Sequence, residues 1–291
     1  MHYAAYKSVL LSNNTMNLYR GCTHGCIYCD SRSRCYQINH PFEDIEVKQN
    51  APEILDDQLR RRRKKAMIHT GSMCDPYIPL EDELLLTRRC LQVIARHGFG
   101  LTILSKSDRM LRDMDLFEEI NRKQKCVVCV TLTTRDEALC KKLEPNVCPT
   151  AARVEVLKEC QRRGIPTVVW MTPILPFIND TEANINGLLD DCIAAGVHGI
   201  ICFNMGLTLR EGDREYFYTQ LDRLFPGLKQ RYIDAFGLRY ECESPNSPRL
   251  LKLFHTRCEA HGILHDPHAV FRYMGKLPEP PPQMTMFDLI G

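Results

Sequence analysis

The sequence predicts an α/β protein built on a parallel sheet of about six βα units. Two observations carry this. Short β-branched runs stop at a glycine, a proline or a polar residue, and amphipathic stretches ended by glycine lie between them. A third is length, since 291 residues suffice for one large α/β domain or two ordinary ones.

In chain order, a first strand is expected near Met16–Tyr19, and a second, Ala66 to His69, ends just before Gly71. Glu81 to His97 carries Leu84, Leu85, Cys90, Leu91, Val93 and Ile94 at helical spacing and stops at Gly98. Strands follow at Leu101 to Leu104, ending at Lys106, and at Val127 to Leu132, ending at Thr133. A helix over Ala151 to Arg163 stops at Gly164, and the strand Thr167 to Met171 ends at Pro173. Thr181 to Ala195 opens with a Thr–x–x–Asn cap and stops at Gly196, before a sixth strand at Gly199 to Phe203. Short strands alternating with helices make a parallel sheet, and six repeats are too few for a closed eight-fold barrel. Beyond Met205 the repeat weakens. Asp213 to Phe225 and Pro248 to His261 read as amphipathic helices, the second started by Ser247–Pro248. Arg210, Arg214, Tyr216 and Tyr218 could cover an open side of the sheet or simply pack.

Composition points to a cytoplasmic protein. The fifteen cysteines are scattered rather than framed in pairs, as expected in a reducing compartment. Met1 to Leu11 shows no basic flank with an apolar run, so no export signal is expected. No apolar stretch has membrane-spanning length, so no membrane association is expected. A net charge of +2 does not by itself call for nucleic acid.

The chemistry concentrates at Cys22, Cys26 and Cys29, spaced C-x3-C-x2-C with Tyr28 before the last. One tight loop can bring three thiolates to three corners of an iron–sulfur cube and leave the fourth iron open. Clusters usually take four cysteines, so an open iron implies a cluster that binds something else. Gly21 and Gly25 ease the fold of the backbone round a bulky core, and Ile27–Tyr28 could shield one side. Zinc is the competing reading, but structural zinc is four-coordinate and usually held by paired knuckles. No second knuckle follows Cys29 at ordinary spacing. Chance also competes, because close triplets arise more easily in a cysteine-rich chain.

The segment Asn17-Leu18-Tyr19-Arg20-Gly21-Cys22-Thr23-His24-Gly25-Cys26-Ile27-Tyr28-Cys29 resembles the signature of the radical S-adenosylmethionine (SAM) enzymes. More narrowly it resembles the branch related to spore photoproduct lyase. The likeness continues through Gly71-Ser72-Met73-Cys74-Asp75-Pro76-Tyr77, Ser105-Lys106-Ser107 and Asn179-Asp180-Thr181-Glu182. The resemblance implies an open parallel (β/α)6 partial TIM barrel, a [4Fe–4S] cluster and SAM. It also implies an electron donor such as flavodoxin or ferredoxin. In that family the open iron chelates SAM, and an electron from the cluster cleaves it to a 5′-deoxyadenosyl radical that abstracts hydrogen from substrate.

Parallel α/β barrels place their sites where strands end. The cysteine loop follows the first strand, Ser72, Cys74 and Asp75 the second, Ser105 and Lys106 the third, Thr131 and Thr133 the fourth. Each is ordinary at a strand end; their convergence is not. By resemblance, Lys106 and Thr131 fall at positions contacting the SAM ribose and carboxylate, Ser72 and Cys74 face its amino group, and Tyr28 adjoins the cofactor. The lyase uses a cysteine near this point as a hydrogen-atom donor. Ser72 aligns with that position and Cys74 comes two residues later, on the same face if the strand continues. Cys74 is thus a candidate donor, or else a small buried hydrophobe.

The remaining candidates read more plainly. Cys126 and Cys129 sit three apart in a strand and point to opposite faces, while Cys90, Cys160 and Cys192 sit on helix stripes. Cys35 is a remote candidate for a fourth ligand when SAM is absent. His261, His265 and His268 straddle a helix end, which disfavours a shared metal. The six cations Arg60 to Lys65 read as a solvated helix end opposite the site, favoured there by the helix dipole.

Residues 1–275 are expected to form the core with its C-terminal helices, and 276–291 a linker and flexible tail. Pro278-Glu279-Pro280-Pro281-Pro282 is a semi-rigid spacer. Gln283-Met284-Thr285-Met286-Phe287-Asp288-Leu289 resembles the bacterial sliding-clamp-binding peptide, with Gln283, Met286 and Phe287 as anchors. The expected function is radical SAM chemistry on nucleic acid, perhaps on a DNA lesion. A peptide or metabolite substrate, or a non-catalytic Fe–S or zinc adaptor on the clamp, are the alternatives.

Overall fold

The computed structural model describes residues 1–278. The chain opens with four short strands: β1 (His2–Ala4), β2 (Thr15–Met16), β3 (Tyr19–Arg20) and β4 (Glu46–Lys48). Then come α1 (Ala51–Arg60), β5 (Met67–Thr70), α2 (Glu81–Leu84), α3 (Leu86–His97), β6 (Gly100–Ser105) and α4 (Met114–Lys123). The alternation continues through β7 (Cys126–Thr131), α5 (Glu137–Leu143), α6 (Thr150–Arg162), β8 (Thr167–Trp170), α7 (Glu182–Ala194) and β9 (Gly199–Ile201). The remainder is β10 (Gly206–Thr208), α8 (Asp213–Leu224), α9 (Leu228–Phe236), β11 (Glu241–Glu243), α10 (Ser247–Ala260) and α11 (Pro267–Gly275).

Strands β2-β5-β6-β7-β8-β9 form one parallel sheet in that order, and its edge strands do not pair with each other among the described residues. The six parallel strands are those expected from the βα alternation, and the open partial barrel is the one the family resemblance implied. The period-2 reading holds residue by residue. Cys126, Val128 and Val130 face the helices with Ile68, Ile103 and Val169. Val127 and Cys129 face inward with Met67, Val168 and Ile201. Cys126 and Cys129 therefore lie on opposite faces and share no metal. Helix α11 fills the inner face through Val270 and Met274, and Leu277 packs there too. The Met274 carbonyl accepts the Thr102 hydroxyl at 3.0 Å.

Two elements differ from expectation. The first strand is split: Thr15–Met16 joins the main sheet, whereas Tyr19–Arg20 pairs antiparallel with β4 in a three-stranded sheet β1-β4-β3. Leu18 and Tyr19 are consecutive and both buried, which one half-covered strand cannot provide. The helix over 81–97 breaks at Leu85, which adopts a left-handed φ of 51°. The buried Glu81 carboxylate accepts the Thr87 N–H at 2.8 Å, giving the second helix an N-terminal partner that the apolar stripe could not reveal.

Arg60 and Arg61 both reach back to Asp57 on α1, as a solvated helix end would. Arg214 is buried and donates to the Leu209 and Arg239 carbonyls at 2.7 Å, so its role is packing. Among the described residues, His261, His265 and His268 form no metal-competent group. No helix among them is long and apolar enough to cross a membrane. Gln283, Met286 and Phe287 lie outside the described residues.

Candidate active site

Strand β3 runs directly into the cysteine loop. Gly21 turns it with φ +88°, and a Cβ there would meet the Phe42 carbonyl at 2.4 Å. That carbonyl accepts the Cys22 N–H at 3.0 Å. From the other side the end of α5 and the segment after it pin the loop. Ile27 N–H reaches the Leu143 carbonyl at 2.9 Å, and the Asn146 amide reaches the Thr23 carbonyl at 2.8 Å. Cys22, Cys26 and Cys29 come together in one small cavity at the C-terminal ends of the strands.

The same cavity is lined by Tyr28, Ser72, Cys74, Lys106 and Thr131, so the structure gathers these predicted residues around the three thiols. The reason given for Cys74 changes. Strand β5 ends at Thr70, and residues 71–78 form a loop, so strand alternation does not apply. Ser72 is exposed at the mouth, while the buried Cys74 thiol donates to the Gly21 carbonyl at 2.8 Å. Cys35 is exposed against Arg210 and does not line the cavity.

Asp75 organises the floor. Its carboxylate accepts the Ser105 hydroxyl at 2.7 Å and the Lys106 N–H at 2.8 Å, and it lies 3.4 Å from His24 Nδ1. His24 is buried, and its Nε2 has no protein partner. Opposite, the Tyr28 hydroxyl donates to Glu144, a fully buried carboxylate that pairs with Arg153. Arg153 also donates to the Thr131 carbonyl at 2.9 Å, fixing the end of β7. Beside Thr131, its register neighbour Trp170 meets Phe203 at 6.2 Å and Phe271 at 5.8 Å between ring centroids. Phe203 is 52% exposed and Phe271 43%, and the two rings stack on each other at 6.1 Å beside the half-buried Trp170.

The electrostatics suit a cationic inorganic core. Burial pushes the Cys26 and Cys29 thiols up, which makes bare thiolates costly until a metal compensates them. A hydrogen bond from Cys74, and secondarily the charge of His24, pull Cys22 down. Burial alone would lower Lys106, but Cys26, Glu144, Asp75 and Cys29 outweigh it and keep the ammonium charged. Three convergent thiols and one fixed cation match the donor set of a cluster with an open iron.

The family model of the Radical SAM superfamily matches residues 16–189. The chain belongs to the radical SAM superfamily. As in that superfamily, it is an enzyme whose cofactors are a [4Fe–4S] cluster and SAM. An uncharacterized protein of Mycobacterium bovis is 31% identical over 228 residues, covering 76% of this chain. The match spans 66% of that relative, just under two thirds of its length. The radical SAM Nalpha-GlyT isomerase of Pseudomonas phage M6 is 26% identical over 186 residues, covering 62% of this chain and 36% of the isomerase. Among solved structures, spore photoproduct lyase complexed with dinucleoside spore photoproduct superposes with a TM-score of 0.60 at 13% identity. That superposition covers 85% of this chain and 74% of the lyase, a likeness of fold.

Several residues of this radical SAM site were not legible as such in the sequence. Glu144 and Arg153 sit beyond β7 with no motif to mark them, and only their shared burial shows that they matter. His24 was visible inside the cysteine loop but carried no partner until the fold brought Asp75 to it. A roomier concavity by contrast, about 580 Å³, lies by Lys125, Arg272 and Tyr273 at the other end of the sheet, with no cysteine in its lining.

Proposed function

We propose that the protein is a radical SAM enzyme acting on a nucleic-acid base, with DNA lesion repair or modification as its reaction class. The observation that carries the substrate reading is the exposed Phe203 and Phe271 rings packed on the half-buried Trp170 beside Thr131, because stacking on aromatic side chains is how proteins hold unpaired bases. Two similar proteins support it: the lyase structure holds a dinucleoside photoproduct, and the phage relative is named for isomerising Nalpha-GlyT.

In this reading Cys22, Cys26 and Cys29 hold the cluster, and Tyr28, Ser72, Lys106 and Thr131 hold SAM. When bound, that pair supplies a carbon radical able to take a hydrogen atom from substrate. The protein's part is positioning. Lys106 offers a fixed positive charge for a carboxylate, Tyr28 screens the loop, and Asp75 sets the backbone of residues 105–106. Cys74 lines the same cavity and is the hydrogen-atom donor candidate. An electron donor such as flavodoxin or ferredoxin completes the cycle. All fifteen cysteines are unpaired, in keeping with a cytoplasmic setting. Residues 276–291 act as linker and tail, with Gln283, Met286 and Phe287 bringing the enzyme to the DNA sliding clamp.

The test is anaerobic. Reconstituted protein receives reductant and SAM, and 5′-deoxyadenosine is quantified with and without ultraviolet-damaged DNA. Stimulation by damaged DNA is expected. Turnover indifferent to DNA but raised by peptides or small metabolites would replace the substrate class and leave the radical chemistry standing. Clamp affinity is measured separately, and an unchanged value in the double variant Gln283→Ala, Phe287→Ala removes the recruitment reading.

A further inference from the structure

A second group of metal-ligating side chains lies outside the cluster cavity. Strands β1 and β4 pair in parallel with His2 opposite Glu46, which sets the two side chains next to each other. His40 comes in from the preceding loop, its ring edge-on to that of His2 at 5.0 Å. One ligand atom from each of His2, His40 and Glu46 lies within 4.8 Å of the other two.

The orientation of each side chain is the independent observation. His2 Nδ1 lies 3.0 Å from Asp44 Oδ2. His40 Nδ1 lies 3.0 Å from the Pro41 carbonyl. Glu46 Oε1 accepts the Tyr6 hydroxyl. Each outward atom is therefore occupied, leaving His2 Nε2, His40 Nε2 and Glu46 Oε2 as the free donors. His40 Nε2 is buried and has no partner. Histidines that bind metal characteristically give their other N–H to a carboxylate or a carbonyl, which fixes the tautomer and frees the ligating lone pair. A simple ion pair accounts for His2 Nε2 at 3.5 Å from Glu46 Oε2, but not for the orphan nitrogen of His40. Arg20 approaches only Glu46 Oε1, the oxygen already held by Tyr6.

We propose that His2, His40 and Glu46 bind one divalent transition-metal ion, zinc by preference, separately from the iron–sulfur cluster. Two imidazoles and a carboxylate are the donors zinc takes at about 2.0–2.2 Å, and the absence of thiolate excludes the softer ions. Closing the triad on an ion needs each atom to move by roughly 1 Å. Water takes the remaining position. The ion would tie the N-terminal strand to the segment whose Phe42 carbonyl holds the Cys22 N–H, bracing the cysteine loop from behind.

The full chain is loaded anaerobically with its cluster so that the site cysteines are engaged, then titrated with zinc chloride. Calorimetry gives the affinity, and zinc-edge X-ray absorption identifies the bound atoms without interference from iron. One zinc per chain with a nitrogen and oxygen shell is expected. His40→Gln and Glu46→Gln should each weaken binding by about 100-fold, and Asp44→Asn by about 10-fold. His40 has only the Pro41 hydrogen bond and the edge contact with His2 to lose, so its variant carries the test if Glu46→Gln folds poorly; circular dichroism checks this. A sulfur shell around the zinc, or equal affinity in wild type and His40→Gln, overturns the site.

Discussion

Nδ1 of His24 lies 3.4 Å from Oδ2 of Asp75, which joins the cysteine loop to the loop after β5. The same carboxylate holds Ser105 and Lys106, so one charge ties together the cysteine loop, the loop after β5 and the end of β6.

Asp75→Asn should therefore loosen the cofactor pocket without touching the iron ligands. Hydrogen bonds to a charged group contribute about 1.5–3 kcal/mol, so SAM affinity is expected to fall by roughly 10-fold or more. Equilibrium binding of SAM measures this, with iron content per chain unchanged as the control.

Replacing Cys22, Cys26 or Cys29 by Ala should remove the cluster absorption and all SAM cleavage, because two remaining thiolates do not hold the cube. Cys35→Ala should retain both. Cys74→Ala should keep SAM cleavage but lose correct product, and product analysis on damaged DNA separates these outcomes.

The buried Glu144–Arg153 pair gives a stability prediction with a defined pH direction. Burial raises the Glu144 carboxyl, but Arg153 foremost, then Lys106 and Tyr28, hold it below its usual value of 4.5. The folded state thus binds this proton less readily than the unfolded chain. The contribution is present above about pH 4.5 and is lost as pH falls through the lower folded value. Glu144→Gln should cost about 3–5 kcal/mol at neutral pH by stranding the Arg153 charge. Denaturant unfolding from pH 3 to pH 7 should show a flatter acid limb in the variant.

Phe203→Ala should weaken substrate binding and leave substrate-free SAM cleavage unchanged. A lost stacking face costs about 1–3 kcal/mol per base, so KM for DNA should rise roughly 5- to 150-fold. An unchanged KM would detach the aromatic group from the substrate.

What could be read in advance followed from periodicity and local spacing. The six strands and the opposite faces of Cys126 and Cys129 are properties of patterns along single segments. The gathering of Ser72, Lys106 and Thr131 with the cysteines followed from one rule about strand ends. The break at Leu85 escaped because the capping carboxylate, Glu81, lies inside the same apolar stripe and looks like any helical glutamate. Glu144 and Arg153 escaped for a different reason. Their importance comes from being buried together, and burial of a charge is set by tertiary packing rather than by neighbours in sequence.

Helix α11 supplies Val270 and Met274 to the inner face of a sheet whose strands all precede residue 202. During synthesis the concave side of the barrel therefore stays wet until almost the whole described chain has emerged. The cysteine loop, by contrast, leaves the ribosome before every strand of that sheet but β2. Its thiols wait unsheltered until α11 follows, so metal delivery and protection from oxidation become problems of timing as much as of affinity.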